Sequence, residues 1–425
     1  MTLPIVFRHL TRDGWLLFAT RFVRLFAYGS LSVVLVLYLV GIGLNDTQTG
    51  LLLTLTLIGD TVVSLGLTTR ADRIGRRRTL TVGALLMAAA GLVFASTSHV
   101  GLLLVAGTIG VISPSGHEVG PFLSIEQAAL SHVVTDRDRT ETFAWYTLVG
   151  SIATALGALV AGSSIGLLLE NGIPPVRGYR VVVVLYAILG LVLAVSFQRL
   201  SRAAEAATLG EKRALQLTVA GLSGLDRSRG IVVKLSALFA LDSFGGGFVI
   251  QSFAAYWFHL RFKVDPGTLG AIFFWANIFA GLSALAASRL ATRIGLVRTM
   301  VVTHLPSNIL LILVPLMPTL WSAVAVLLVR FSISQMDVPT RQSFVMAVVP
   351  PEERSAAAGV TGVARTIGAS ISPLFAGMLF AHPALINVPF FIAGVLKSAY
   401  DLTLYRFFVA LQPPEEHRVP DRALP

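Results

Sequence analysis

The sequence predicts an all-α membrane protein of twelve transmembrane helices in two pseudo-symmetric six-helix bundles. Three observations predict it: scarce charge, apolar runs of span length, and a motif that recurs in both halves. Of 425 residues, 55% are apolar and only 13% are charged, whereas an ordinary soluble domain is roughly a quarter charged. Runs of about twenty apolar residues read as membrane spans. A chain of this length holds about twelve of them with short connections.

The spans are expected near 15–40, 47–69, 79–98, 101–131, 142–168, 179–198, 230–258, 267–289, 298–317, 320–346, 355–381 and 384–410. Met1 to Asp13 carries charges, and the apolar run after it is of full span length. The first span therefore reads as a retained signal anchor. Alternate loops are basic: Arg70, Arg73, Arg76, Arg77 and Arg78 follow the second span, and Arg289, Arg293 and Arg298 follow the eighth. Intervening loops are nearly neutral, with Arg261 and Lys263 as the exception. The positive-inside rule places both termini in the cytoplasm, with the spans in a cell inner membrane. The net charge of +11 thus belongs to topology and the bilayer surface, and no nucleic-acid partner is expected.

The long polar stretch after the sixth span divides the chain. Expected domains are an N-terminal bundle (1–198), a cytoplasmic linker (199–229), a C-terminal bundle (230–410) and a cytoplasmic tail (411–425). The linker reads as partly helical, amphipathic along Leu209 to Leu225, or as disordered. The two halves are alike. Asp72-Arg73-Ile74-Gly75 aligns with Thr292-Arg293-Ile294-Gly295, and Asp138-Arg139 through Ala161-Gly162 aligns with Glu353-Arg354 through Ala376-Gly377. Parallel repeats with a midplane binding site are a transporter architecture.

Thr68 to Arg77 resembles the Gly-x-Leu-Ala-Asp-Arg-x-Gly-Arg-Arg signature of the major facilitator superfamily. Asp72, Gly75, Arg76 and Arg77 match it, while Thr68 and Arg70 depart from it. A degenerate copy runs from Ser288 to Arg298, and Pro339 to Gln342 with Pro350 to Arg354 is similar to the family's tenth-to-eleventh helix region. The resemblance implies alternating access, with Asp72, Gly75, Arg76 and Arg77 as a conformational latch. It also implies that spans one, four, seven and ten line a cavity, while three, six and nine face outward. Within the fifth span, the stretch Leu148 to Gly157 lacks the proline of the family's proton-coupled drug exporters.

Ionisable residues at bilayer depth cost several kcal/mol on insertion scales and mark functional sites. Arg24, His117 with Glu118, Asp242 and Arg330 fall near the middle of spans one, four, seven and ten, whereas spans three, six and nine carry no charged residue inside. These five residues are the candidates for substrate or proton coupling on a shared wet path. Glu118 and His117 sit in Ser113 to Pro121, where two prolines and two glycines interrupt the helix. Arg21 is expected to snorkel to the surface, leaving Arg24 deeper and free to meet an anionic or zwitterionic solute. Asp60, Glu118, Asp242 and Asp337 are available to neutralise these arginines instead. Gly245 to Gly247 reads as a hinge or a close packing surface, Lys397 and Asp401 as a mutual pair, and Phe273, Phe274 and Trp275 as lipid-facing. Tyr28 and Phe244 are weaker pocket candidates.

No nucleotide loop, paired-histidine metal spacing or nucleophile elbow is present in the sequence. The absence of cysteine excludes disulfides and thiolate metal sites. The reading is therefore a secondary transporter without cofactor or metal, not an enzyme, working as a monomer. Its expected activity is proton-coupled export of a small organic solute. The alternatives are proton-coupled or facilitated uptake of an anionic metabolite, and a non-transporting receptor of the same fold.

Overall fold

A computed structural model describes residues 10–68, 70–133, 139–201, 204, 225, 227–350 and 352–410. Most of the linker and the tail from 411 onward lie outside the described residues, as does the expected helix from Leu209 to Leu225 apart from Leu225 itself. The described chain is helical, with no strand. Unbroken spans run Arg12–Gly41, Asp46–Thr68, Arg76–Ser96, Arg139–Glu170, Pro175–Gln198, Pro266–Ile294, Leu296–Leu313, Arg354–Phe380 and Val388–Phe408. Three spans are interrupted: the fourth (Val100–Ile109 and Phe122–Val133), the seventh (Arg229–Gly247 and Gln251–Phe262) and the tenth (Leu320–Ser334 and Asp337–Val348).

The break in the fourth span follows from its prolines and glycines, which cannot sustain the helical ladder. The freed backbone groups find side-chain partners, as a non-aqueous setting demands. Tyr186 donates its hydroxyl to the Val111 carbonyl at 2.7 Å, and the Ser252 hydroxyl donates to the Pro114 carbonyl at 2.5 Å. The Gly120 N–H donates to Asp60 Oδ1 at 2.5 Å. In the seventh span the helix ends just after the three glycines, and the close-packing reading of them holds at Gly247. The chain turns there, and a Cβ on Gly247 would fall 2.6 Å from the Ala369 carbonyl.

The repeated motif builds the same turn twice. Gly75 has φ 103° and ψ 131°, Gly295 has φ 86° and ψ 163°, and each sits immediately before a span. Thr79 and Thr299 each return a hydroxyl to the carbonyl of their glycine, at 2.9 and 2.7 Å. A Cβ is strongly disfavoured in this region of backbone space, so Gly75→Ala and Gly295→Ala should each destabilise the fold by about 1–3 kcal/mol. Unfolding midpoints of the two variants in detergent, against the parent chain, check this.

The chain divides into two compact units. The first comprises residues 1–214, 249–278 and 373–386; the second comprises 215–248, 279–372 and 387–425. Small residues let helices touch within the first unit, where lipid supplies no hydrophobic drive between them. Gly91 meets Ala187 and Gly190 meets Ala88, joining the third and sixth spans. Gly162 lies against Gly270, and Gly377 against Gly50, so closely that a Cβ would fall within 2.9 Å of the facing Cα. Thus the glycines that align between the halves, Gly162 and Gly377, make the same kind of crossing. In the second unit an apolar core gathers Leu235, Phe239, Met300, Phe344, Tyr400 and Leu404.

The third, sixth and ninth spans expose large apolar side chains, among them Leu92, Leu191 and Val302, as a lipid-facing surface requires. Trp275 is likewise exposed, but Phe273 is buried in the core of its unit, so that aromatic run does not face one way. The described edges of the linker are pinned by one carboxylate each. Asp13 accepts from the Ser201 N–H at 3.1 Å in the first unit, and Glu353 accepts from the N–H groups of Arg227 and Ser228 at 3.0 and 3.1 Å in the second.

Candidate functional site

Each unit holds one cluster of buried charge. In the first, Arg24 is fully enclosed and its guanidinium forks onto Glu126, with two bonds of 2.6 Å. Its remaining donors reach Glu118 at 3.1 and 3.3 Å. Arg21 donates to Glu118 at 2.5 Å and to the Tyr146 carbonyl at 2.6 Å. The Tyr146 hydroxyl donates to Glu126, and the Thr20 hydroxyl approaches the same carboxylate at 3.3 Å. The two guanidinium groups lie over rings, Arg21 over Tyr146 and Arg24 over Phe122, at 4.3 and 4.7 Å. Two cations and two carboxylates neutralise one another with their donors satisfied, which is what buried ions require.

Within this cluster accessibility differs sharply. The Glu126 side chain is fully enclosed, whereas Glu118 keeps 17% of its side-chain surface exposed. His117, its neighbour on the interrupted segment, is exposed. Glu118 is thus the carboxylate of this cluster that keeps accessible surface, beside an exposed His117.

The second cluster centres on Asp242. Lys397 donates to one carboxylate oxygen at 2.5 Å, and Arg341 donates to the other at 3.0 Å. Arg341 also pairs with Asp337 at 3.3 Å, one helical turn away. His304 stands between two acids: its Nδ1 is 2.9 Å from Asp401 and its Nε2 is 3.8 Å from Asp242. A carboxylate only accepts, so Nδ1 carries the hydrogen toward Asp401. Asn308 donates to Asp401 at 2.8 Å and completes its surroundings.

The sequence reading and the geometry part company in four places. Arg21 does not snorkel; it is buried, because Glu118 and the Tyr146 carbonyl provide partners inside the unit. Arg24 is not left free for a solute anion, since Glu126 and Glu118 occupy its fork. Lys397 and Asp401 do not pair with each other, because Lys397 reaches Asp242 across the bundle while Asp401 binds His304 and Asn308. The ninth span, expected to carry no charge inside and to face outward, supplies His304 and Asn308 to the Asp242 cluster.

Arg330 stands apart from the Asp242 ion pairs. Its ring neighbour is Phe331 at 5.0 Å, and its Nε has no hydrogen-bond partner. Tyr28 is fully buried, stacked 6.2 Å from Tyr186, and donates to the Val119 carbonyl. Phe244 packs edge-on against Phe248. Of the expected latch, Gly75 forms the turn, Arg76 is buried and reaches the Ala204 carbonyl at 3.4 Å, and Arg77 is exposed. The Asp72 side chain lies outside the described residues. Sequence reasoning missed Glu126, Tyr146, His304, Arg341 and Arg365 as parts of charge clusters. Glu126 and Arg365 were findable as lone charges inside apolar spans. Among the described residues no group of acids and histidines is placed to hold a metal ion.

The chain has relatives in sequence and in fold. Residues 17–373 match the Major Facilitator Superfamily, and a second match covers 235–424. The chain belongs to the major facilitator superfamily. A relative from Saccharomyces cerevisiae (strain ATCC 204508 / S288c), the uncharacterized membrane protein YJR124C, is 32% identical over 439 residues, covering 96% of each chain. Among solved structures, the nucleoside transporter NupG superposes with a TM-score of 0.75 at 14% identity, over 93% of this chain and 99% of that one. The D-xylose–proton symporter gives 0.71 at 16% identity over 93% and 97%, and the human organic anion transporter MFSD10 gives 0.61 at 16% over 95% and 100%. These likenesses show the superfamily fold. The protein is a multi-pass membrane transporter for small solutes, not an enzyme.

Proposed function

We propose that this chain is a proton-coupled secondary transporter that exports a small organic solute by alternating access, as a monomer with both termini in the cytoplasm of a cell inner membrane. The observation that carries the reading is His304 set between Asp401 and Asp242, with Lys397 and Arg341 competing for the Asp242 carboxylate. A proton arriving on Asp242 removes the charge that Lys397 and Arg341 share, leaving Arg341 only its pair with Asp337. Those cations then repel one another inside the unit, so loading and unloading the proton shifts the balance between two arrangements. Glu118 with His117 is the corresponding partly accessible group of the first unit, and Arg24 holds it in place. The basic loops at Gly75 and Gly295, with Asp72, Arg76 and Arg77, are the latch at the cytoplasmic face.

Vesicles with an acid interior and a trapped pH dye test this. A substrate added outside should drain protons from the lumen if the exchange is antiport; acidification of the lumen marks symport. Asp242→Asn and His304→Gln should abolish the proton signal while the reconstituted protein still equilibrates labelled substrate. Proton flux unchanged in both variants removes this centre from the mechanism. Uptake of an anionic metabolite is the second reading, favoured by the guanidinium groups of the second unit that lack carboxylate partners.

A further inference from the structure

The interrupted stretch of the fourth span leaves backbone groups that other spans must answer. Tyr28 and Tyr186 donate to the Val119 and Val111 carbonyls, and Ser252 donates to that of Pro114. These partners are neutral hydroxyls. The Gly120 N–H instead meets a carboxylate, Asp60 of the second span. Asp60 owes its place to Gly59. A Cβ there would fall 1.7 Å from the Thr108 carbonyl oxygen, so the second span crosses the fourth just where that helix ends at Ile109.

The contacts of Asp60 set it apart from the other acids inside spans of the first unit. Glu118 and Glu126 are held by Arg21 and Arg24. Asp60 has no cation partner among the described residues. Its Oδ1 accepts from the Gly120 N–H at 2.5 Å and from the Ser64 hydroxyl at 3.3 Å. Its Oδ2 accepts no hydrogen bond, and the residue is only half-buried, so that oxygen is where a proton can settle. An ionised carboxylate inside a span without a counter-ion is expensive, and a proton removes the cost. The titratable groups on neighbouring elements are Glu118 and His117 on the interrupted segment, Tyr28 on the first span and Tyr186 on the sixth. Val100–Ile109 carries none, and neither does Pro373 to Phe380, the stretch of the eleventh span that meets the second at Thr54. On its own helix the other charges stand at the ends, Asp46 and, just beyond, Arg70.

We propose that Asp60 is a proton-operated positioning residue. Ionised, it clamps the Gly120 N–H and holds the segment that presents Glu118; protonated, it loosens that segment. The clamp is tight in alkaline buffer and weak in acid, because a bond to a charged acceptor is stronger than one to a neutral acceptor. The first unit thereby responds to protons independently of Asp242, and the part this plays in transport rests on the proton-coupled reading above.

Amide hydrogen exchange on the purified full-length chain tests this, read over peptides covering the interrupted segment and corrected for the intrinsic effect of pH. Protection there should fall roughly tenfold between mildly alkaline and mildly acid buffer, the difference between a charged and a neutral acceptor. Asp60→Asn, whose side chain accepts but never ionises, should lose this pH step, and His117→Gln should keep it. A parent chain without the step, a step that survives in Asp60→Asn, or one that vanishes in His117→Gln overturns the assignment. Should Asp60→Asn fail to fold, the parent chain decides, because a carbodiimide adds to protonated carboxyl groups. Peptide masses should show the adduct on Asp60, rising in acid, and not on Glu118, which is also half-buried but held by arginines. No adduct on Asp60, or equal adducts on both, overturns the assignment. If the step belongs to Asp60 while no solute moves protons in vesicles, the coupling reading falls and the clamp stands. If the step is absent while coupling persists, only the clamp falls.

Discussion

Arg24→Leu should destabilise the folded chain by about 3–5 kcal/mol, the cost of stripping one partner from a buried ion pair. Glu126 is left behind with no exposed surface and only two hydroxyl donors, from Tyr146 and Thr20. Arg21 keeps its partner Glu118, so the damage is confined to the Glu126 end of the cluster. The double variant Arg24→Leu, Glu126→Leu removes both charges and should recover most of the loss, because no ion is then stranded. Arg24→Lys should recover less, since an ammonium cannot fork onto two carboxylate oxygens. Unfolding midpoints in mixed micelles for the two single variants and the double variant decide the matter. A double variant as unstable as Arg24→Leu would mean that packing, not charge, sets the cost.

The second large effect concerns the glycine crossings of the first unit. Gly162→Leu and Gly377→Leu should each destabilise by about 1–3 kcal/mol or more, as overpacked cores do. The facing atoms are backbone, at Gly270 and Gly50, and cannot rotate aside as a flexible side chain would. Gly359, in the eleventh span with nothing within 4 Å of its absent Cβ, supplies the contrast. Gly359→Ala should gain roughly 0.5–1 kcal/mol, the usual preference for alanine within a helix. Thermal unfolding of the three variants side by side checks the sign as well as the size. Equal behaviour of Gly359 and Gly162 would show that the crossings are looser than their geometry.

Both predictions concern features that the sequence exposed only in part. Arg24 stood out as a charge inside an apolar run, and its depth was legible. Glu118 was among the acids able to neutralise it, but Glu126 was not foreseen, because Glu118 lies within the helix break and Glu126 on the helix after it, and only the folded segment brings both to one guanidinium. Gly162 and Gly377 were visible as repeat positions, but a repeat says that two sites are alike without saying what each one touches. Lys397 and Asp401 show the limit most plainly. Spacing of four residues permits a pair, yet each found a stronger partner on another span.

Periodicity, hydropathy and loop charge are properties of the chain read along its length. They therefore settled by themselves the class, the spans, the broken fourth helix and the twofold motif at Gly75 and Gly295. Partner choice among buried ions is a different kind of quantity. It depends on distances of three or four ångströms between residues a hundred positions apart, so tertiary packing alone decided that Arg24 is neutralised, that His304 bridges two acids, and that Arg330 and Arg365 go unanswered.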